Sequence, residues 1–157
     1  MKNFSIILLL AASAFAQSAH YRHHGAVPLN DSTVTPGDVT SATEKQLCSP
    51  SFHTGSVRKV SEKTKHAVCQ AYGLTPSQCS GQHVEIDHLI SLELGGSNDA
   101  TNLWPQPYRP PGAKQKDVLE NALHRFVCAG TISLEEAQQC IAKDWVACAE
   151  KEHVAIQ

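Results

Sequence analysis

The sequence predicts a small α+β domain that is supported by disulfide bonds. Residues 82–88 alternate between apolar and polar side chains, as in a strand with one buried face. Residues 113–128 instead repeat their apolar side chains at helical spacing. Six cysteines, an even number, fit three disulfides. We therefore expect a short chain of strands and helices that is cross-linked by these cysteines.

The first sixteen residues are predicted to be a signal peptide. Lys2 gives a positive start, residues 4–12 are nearly all apolar, and Ala14 and Ala16 are the small residues that a signal peptidase reads. The apolar run is too short to cross a bilayer of about 30 Å as a helix. The alternative is a buried N-terminal helix. We expect a secreted or periplasmic protein that has no membrane attachment after cleavage.

The rest of the chain divides by composition into a leader and one domain. Residues 17–45 are rich in His, Ser, Thr, Pro and Gly and contain few large apolar side chains. Such a segment buries little apolar surface, so a flexible leader is expected there. Residues 46–150 then form a single domain, which is all that the chain length allows.

The elements of this domain are delimited by glycine, proline and capping residues. Gly73 ends the first predicted helix, and Ser133 with Glu136 forms a capping box for the last one. In chain order we predict a helix over 61–72, a strand over 82–88, a loop over 95–99, a short apolar segment over 102–104, and helices over 113–128 and from 134 to about 148.

The cysteine spacing and the net charge exclude two other classes of protein. A cysteine-based zinc site needs ligands two to four residues apart, and no two cysteines here are that close. The formal net charge of −2 is not the strong positive field of a protein that coats nucleic acid. Binding of phosphates would therefore depend on local basic patches.

One stretch carries a specific spacing of chemically active residues. Asp87 and His88 end the predicted strand, Gly95-Gly96 begins seven residues after His88, and Asn102 follows His88 by fourteen. This arrangement resembles the signature of the HNH nucleases, in which an Asp-His pair, a Gly-Gly turn and an Asn-Leu pair are spaced in this way. The resemblance implies a ββα-metal (His-Me finger) core with flanking helices, and a metal-dependent endonuclease.

Over residues 35–145 the chain resembles a group of exported bacterial HNH-type proteins. Upstream it includes Thr35-Pro36-Gly37 and Cys48; downstream it includes Leu103 to Pro107, Lys116-Asp117, Leu123-His124, Ala137-Gln138 and Asp144-Trp145. The chain departs from the common HNH pattern in two places. Ser91 stands where proline is usual, and the frequent Cys-x-x-Cys-His ending is missing.

By resemblance, His88 is the general base and Asp87 is a ligand of Mg²⁺, with Mn²⁺ as the alternative metal. Asn102 fixes the loop and orients His88 through backbone contacts. The last ligand of the family comes from the helix after the second strand, where Asp117 is the first candidate and Glu120 the second. Both are carboxylates near the start of that helix. They have another explanation, because carboxylates also stabilise a helix N-terminus without a metal.

These residue types suit hydrolysis of a phosphodiester. The negatively charged phosphate repels hydroxide, so the reaction needs an activated water and a cation at the leaving oxygen. Histidine has an ordinary pKa of about 6.5 and can accept a proton at neutral pH. An aspartate offers the hard oxygen ligand that Mg²⁺ and Mn²⁺ prefer.

Further expectations concern the substrate and the disulfides. DNA is the expected substrate, with RNA as the alternative, and Arg109, Lys114 and Lys116 are the candidates to contact phosphates. The resemblance pairs Cys48 with Cys128. Cys69 with Cys79 is then a plausible local pair, and the remaining pair, Cys140 with Cys148, requires the last helix to end early.

The expected protein is a monomeric endonuclease that leaves a 5′-phosphate and a 3′-hydroxyl, as the resemblance implies. Two alternatives remain open at this point. One is a secreted module that keeps the HNH shape and binds without turnover. The other is a nuclease toxin that acts on competing bacterial cells.

Overall fold

The computed structural model describes residues 20–156, and within them it contains two separate two-stranded antiparallel sheets and six α-helices. The predicted signal peptide lies outside these residues. In chain order the elements are β1 (Arg22–His24), β2 (Val27–Leu29), α1 (Glu44–Leu47), α2 (Thr54–Val57), α3 (Glu62–Ala71), β3 (Val84–His88), β4 (Leu103–Pro107), α4 (Ala113–Cys128), α5 (Leu134–Lys143) and α6 (Trp145–Lys151). Short 3-10 helices lie at Leu92–Leu94 and Ala100–Asn102.

The N-terminal segment is folded onto the rest of the molecule. The hairpin of β1 and β2 buries Leu29, which is only 2% exposed. The Tyr21 hydroxyl donates to the Pro105 carbonyl at 2.7 Å, and the Thr35 hydroxyl donates to the Leu103 carbonyl at 2.8 Å. The expectation of a flexible leader is therefore wrong for residues 20–45. Leu29 lies in the core, Tyr21, Val27 and Val34 pack against it, and polar contacts attach the segment to β4.

β3 and β4 form the central antiparallel pair, and β4 is longer than the apolar segment predicted from the sequence. Its two prolines are compatible with a strand because of the register. The Tyr108 amide donates to the His83 carbonyl and the Leu89 amide donates to the Asn102 carbonyl, so the hydrogen-bonded pairs fall on the odd positions of β3. Pro105 and Pro107 lie opposite Ile86 and Val84, where no amide hydrogen is needed.

α4 follows this pair of strands and has the bounds predicted from the sequence. Its buried face contributes Leu119, Ala122, Leu123 and Val127 to the core, whereas Val118 is 47% exposed. α3 also lies within its predicted range. Its start is capped by Ser61, whose hydroxyl accepts from the Thr64 amide.

The last predicted helix is divided into α5 and α6 at Asp144. The Asp144 carboxylate accepts hydrogen bonds from the amides of Val146 and Ala147, both at 3.0 Å, and so caps a new helix. This break brings the Cα atoms of Cys140 and Cys148 to 5.3 Å, within the range of a disulfide.

Three disulfides cross-link the described chain: Cys48–Cys128, Cys69–Cys79 and Cys140–Cys148. They are the pairs expected from the sequence. Disulfides of this kind form and persist in oxidising compartments. Between residues 20 and 156, no helix has both the length and the apolar content that crossing a membrane requires.

Candidate active site

Asp87 and His88, at the end of β3, line a polar cavity of about 220 Å³. Both residues are nearly buried, at 8% and 2% exposure. Arg58 enters from the segment before α3, and Asp117 and Glu120 enter from α4. Residues that are distant in sequence thus line one cavity. Of the three residues predicted from the HNH-like spacing, Asp87 and His88 line it and Asn102 lies beside it.

The contacts of His88 fix the proton on its ring. The Nε2 atom lies 3.2 Å from the side-chain oxygen of Asn98. That oxygen also accepts from the Lys59 amide, and the Asn98 amide nitrogen donates to the Val57 carbonyl, so the orientation of Asn98 is determined. An oxygen that only accepts requires a donor, so Nε2 carries the hydrogen.

The other ring nitrogen of His88, Nδ1, therefore carries a lone pair that can accept a proton. Nδ1 lies 3.5 Å from Nη1 of Arg58, a long contact, and Arg58 is itself exposed. Burial lowers the pKa of His88 below its ordinary value, against the opposing effects of Asn98 and Asp87. A neutral histidine at neutral pH is the form that can accept a proton from water.

Asn102 lies behind this site and holds the loop that follows His88. Its side-chain oxygen accepts from the Ile90 amide at 2.9 Å, and its side-chain nitrogen donates to the carbonyls of Ile90 and Ser97 at 3.0 and 2.9 Å. The side chain is fully buried and does not face the cavity. Its contacts are those of a residue that orients the loop.

Gly96 lies in the same loop, at a position where no side chain fits. A Cβ atom at this position would lie 1.8 Å from the Ile90 carbonyl oxygen. Gly95 before it has a φ of 78°, in the left-handed region that favours glycine. The Gly-Gly pair of the motif is thus required by the backbone.

Lys116 occupies a position that differs from its predicted one. It is fully buried, and its Nζ donates to Asp87 Oδ2 at 2.8 Å, to the His88 carbonyl at 2.7 Å and to the Glu120 carboxylate. The expectation that Lys116 contacts phosphates at the surface is therefore wrong. Burial alone would lower the pKa of Lys116, but the carboxylates of Asp87 and Glu120 outweigh it and raise that pKa, so Lys116 is charged.

Acidic groups outnumber permanent cations around the cavity. Burial raises the pKa of Glu85, Asp117 and Glu120, and the charge of Asp87 raises each of these further. Arg58 and Lys116 are the cations that act on these groups most directly. The site has an excess of negative charge and offers hard oxygen ligands, which suits a divalent cation such as Mg²⁺.

The oxygens that remain available decide which residues fit a metal. Within residues 20–156, no hydrogen bond reaches Asp87 Oδ1, Glu120 Oε2 or the carboxylate of Asp117. The Asp87, Asp117 and Glu120 carboxylates do not form a group of three ligand atoms that all lie within 4.8 Å of one another. The donor chemistry therefore fits a divalent cation, whereas a preformed cage of three carboxylates is absent from the described part of the chain.

A second group of potential ligands combines His124 with Cys48 and Cys128, whose ligand atoms lie within 4.8 Å of one another. The two sulfur atoms are joined in a disulfide and offer no thiolate. This group is consequently not a metal centre in the oxidised protein.

The other predicted phosphate contacts are exposed: Arg109 lies in the loop between β4 and α4, and Lys114 lies in the first turn of α4. Their contact with nucleic acid stays a prediction. A larger cavity of about 590 Å³ adjoins the first and shares Arg58 with it. Its walls include Lys59, Lys65, His66, Glu85 and Tyr108.

Two residues of the site were not assigned to it from the sequence. Asn98 was predicted only as part of a loop, and Arg58 was not among the predicted site residues. Neither has a local signal, because each reaches His88 through the tertiary fold. The burial of Lys116 did have a signal, since it precedes Leu119 and Leu123 by three and seven residues and so lies on the buried face of α4.

Models of protein families, curated proteins and solved structures contain no match to the chain.

Proposed function

We propose that this protein is a secreted, metal-dependent endonuclease of the HNH kind that hydrolyses phosphodiester bonds, with DNA as the expected substrate. The observation that carries this proposal is the environment of His88. It is a buried histidine whose Nε2 hydrogen is bound by Asn98 and whose Nδ1 lone pair meets a long, 3.5 Å contact from Arg58, beside a pocket of carboxylates. A positioned base next to hard oxygen ligands is the machinery that phosphodiester hydrolysis needs.

In the proposed reaction, His88 Nδ1 takes the proton of the water that attacks phosphorus. The hydrogen bond from Nε2 to Asn98 holds the ring and stabilises the imidazolium that forms. Asn102 keeps the backbone after His88 in place. Asn98 is in turn held by the backbone of Val57 and Lys59. The segment around residues 57–59 and the loop held by Asn102 thus both support the base.

Arg58 is suited to bind the substrate phosphate. Its guanidinium is exposed, lies beside His88 and lines both adjoining cavities. A guanidinium offers a planar pair of donors that matches two phosphate oxygens. Because its contact with Nδ1 is long, Arg58 can turn to the phosphate and leave Nδ1 to the attacking water.

Asp87 would hold the divalent cation together with Asp117 or Glu120, through oxygens that the described chain leaves without a hydrogen bond. A bound Mg²⁺ or Mn²⁺ supplies positive charge to the phosphate and to the leaving oxygen. Export is part of the same proposal, because three disulfides fit an oxidising compartment.

The test is a plasmid-nicking assay with the wild type, His88→Ala and His83→Ala, in Mg²⁺ and in chelator. His83 is an exposed histidine just before the same strand and serves as the matched control. We expect chelator to abolish cleavage and His88→Ala to lower the rate by about 10²- to 10⁴-fold, since a general base is lost. His83→Ala should cleave like the wild type.

Melting temperatures accompany the rates, because His88 is buried and its removal takes one of three hydrogen bonds from Asn98. If His88→Ala is folded and cleaves within about threefold of the wild type, His88 is not the general base. If the wild type is folded and cleaves neither DNA nor RNA in any divalent metal, the protein is a binding module instead.

A further inference from the structure

The cavity that contains His88 is small, and a larger cavity begins beside it. The first measures about 220 Å³ and the second about 590 Å³, and Arg58 lines both. Sites that enclose a small organic molecule measure about 300–1,000 Å³, so only the larger cavity has room for a nucleoside. If Arg58 binds the substrate phosphate, as proposed above, the larger cavity lies where the next part of the nucleic acid strand must go.

The larger cavity carries an excess of positive charge, which the chain as a whole does not. Arg58, Lys59 and Lys65 line it, together with two carboxylates, Glu62 and Glu85. The Lys65 ammonium lies 2.7 Å from Glu62 in an exposed ion pair within one helix, and such a pair is weak enough to be exchanged for a phosphate. Because the formal net charge of the chain is −2, a phosphate backbone needs a local basic patch of this kind.

The same cavity also offers apolar and aromatic surface. Val60, Val84 and Ile86 line it, and the half-buried Tyr108 adds an aromatic ring. Proteins that bind single strands combine a positive groove with aromatic side chains on which unpaired bases stack. The cavity therefore has surfaces for a base as well as for a phosphate.

The unpaired edge of β3 adds hydrogen-bonding groups to this cavity. In the described chain β3 pairs with β4 alone, and its odd-numbered residues form the hydrogen-bonded pairs. The amide and the carbonyl of Ile86 therefore point away from β4. Within residues 20–156 neither group makes a hydrogen bond. A donor and an acceptor side by side suit the edge of an unpaired base.

We propose that the larger cavity binds the base next to the scissile phosphate, and that the protein therefore prefers a single strand of nucleic acid to a duplex. This inference rests on the proposed function, because it concerns the substrate of the same site. In a duplex each base is paired and stacked, so a base enters the cavity only after it has left the stack. Duplex DNA is thus a poorer substrate, and it is still cleaved.

The inference is tested by binding without cleavage, in chelator, with a fluorescein-labelled DNA strand of about fifteen nucleotides. Fluorescence anisotropy gives the affinity of the disulfide-bonded protein for this strand, for the same strand annealed to its complement, and for an RNA strand of the same sequence. We expect the DNA strand to bind about tenfold more tightly than the duplex, because the duplex must release a base. The RNA strand shows whether the preference depends on the sugar, and tighter binding of either single strand supports the inference.

Lys65→Gln and Lys63→Gln form a matched pair, because Lys63 is an exposed lysine of the same helix that does not line the cavity. A lysine that contacts a phosphate of a single strand contributes about 0.7 to the slope of log affinity against log salt concentration. We expect Lys65→Gln to lower this slope by about that amount and Lys63→Gln to leave it unchanged. A lysine that only stabilised α3 would not change the slope.

Tyr108→Ala tests the contact with the base, and Tyr108→Phe is its conservative control. Loss of the ring should weaken binding of the single strand about tenfold and leave both the salt slope and the affinity for the duplex unchanged. Tyr108→Phe keeps the ring and should bind like the wild type. Circular dichroism shows whether Tyr108→Ala is folded, and if it is not, the two lysine variants still decide.

Equal affinities for single strand and duplex would overturn the inference, and so would equal salt slopes for Lys65→Gln and Lys63→Gln. Cleavage in Mg²⁺ by the same samples separates the two proposals. A preference for single strands in binding, without any cleavage, would refute the nuclease and keep the base-binding cavity. Cleavage of single strand and duplex at equal rates, with equal binding, would do the reverse.

Discussion

At the scale of one residue, the buried amide of Asn102 determines the shape of the loop that follows His88. Its side chain satisfies the amide and the carbonyl of Ile90 together with the carbonyl of Ser97. An amide is the side chain that can accept and donate at the same time in this way. The backbone that follows His88 is thus fixed by a buried residue that does not line the cavity.

We predict that Asn102→Asp destabilises the protein by about 3 kcal/mol, although it changes a single atom. A carboxylate has no hydrogen to donate, so two buried carbonyls lose their donor and face a negative charge. Urea unfolding with the disulfides intact measures the change. Asn121→Asp, at an exposed position of α4, is the control and should change stability by less than about 0.5 kcal/mol. Similar stabilities of the two variants would contradict the role of Asn102.

Sequence spacing was sufficient to predict some residues of the site and insufficient for others. His88, Asp87 and Asn102 follow one another along a strand, a turn and a second strand, so fixed offsets place them together. Lys116 was assigned to the surface because its charge was given more weight than its helical position. Arg58 reaches the site from a separate segment, and such a contact is not encoded in any local pattern.

At the scale of the elements, Asp144 has two functions that the sequence pattern did not separate. It ends the run of residues predicted as one helix by capping α6, and it binds the N-terminal hairpin, since its Oδ2 lies 2.9 Å from His24 Nδ1. The apolar periodicity continues across both helices, so it predicts their buried face and does not reveal the break. The prolines of β4 are a similar case, because their tolerance depends on the register with β3.

The contact of His24 with Asp144 predicts a pH-dependent stability. The hydrogen bond to Asp144, and then its charge, raise the pKa of His24 above its unfolded value. The stabilisation is therefore complete below the unfolded pKa of about 6.5 and is lost as pH rises through the folded pKa. Asp144→Asn keeps the helix cap but removes the charge.

We expect the melting temperature of the wild type to exceed that of Asp144→Asn most at pH 5.5, and the difference to shrink toward pH 9. Melting curves across this range, measured by circular dichroism, provide the test. His24→Gln keeps Asp144 as the cap and should show the same pH trend as Asp144→Asn. A difference between wild type and Asp144→Asn that does not change with pH would show that the pair contributes nothing.

At the scale of the whole molecule, the three disulfides and the order of strands and helix were predictable, whereas the position of residues 20–45 was not. Composition averages over a segment and does not show where its few apolar side chains lie. Leu29 is 2% exposed, and Thr35 and Tyr21 bind the backbone of β4. The N-terminal segment thus covers the strand that pairs with β3, and it is part of the domain that supports the site.

The packing of this segment predicts that Leu29→Ala destabilises the whole domain. Removing a buried leucine side chain costs about 2–5 kcal/mol, because apolar burial is lost and a cavity remains. Val39→Ala is the control within the same segment, since Val39 is 42% exposed and its truncation should cost less than about 1 kcal/mol.

Urea unfolding of both variants, followed by tryptophan fluorescence, reports on Trp104 and Trp145 in the shared core. If Leu29→Ala unfolds at the same urea concentration as Val39→Ala, the segment is not part of the folded unit. A lower midpoint for Leu29→Ala alone, with one cooperative transition, shows that residues 20–45 and the candidate active site unfold together.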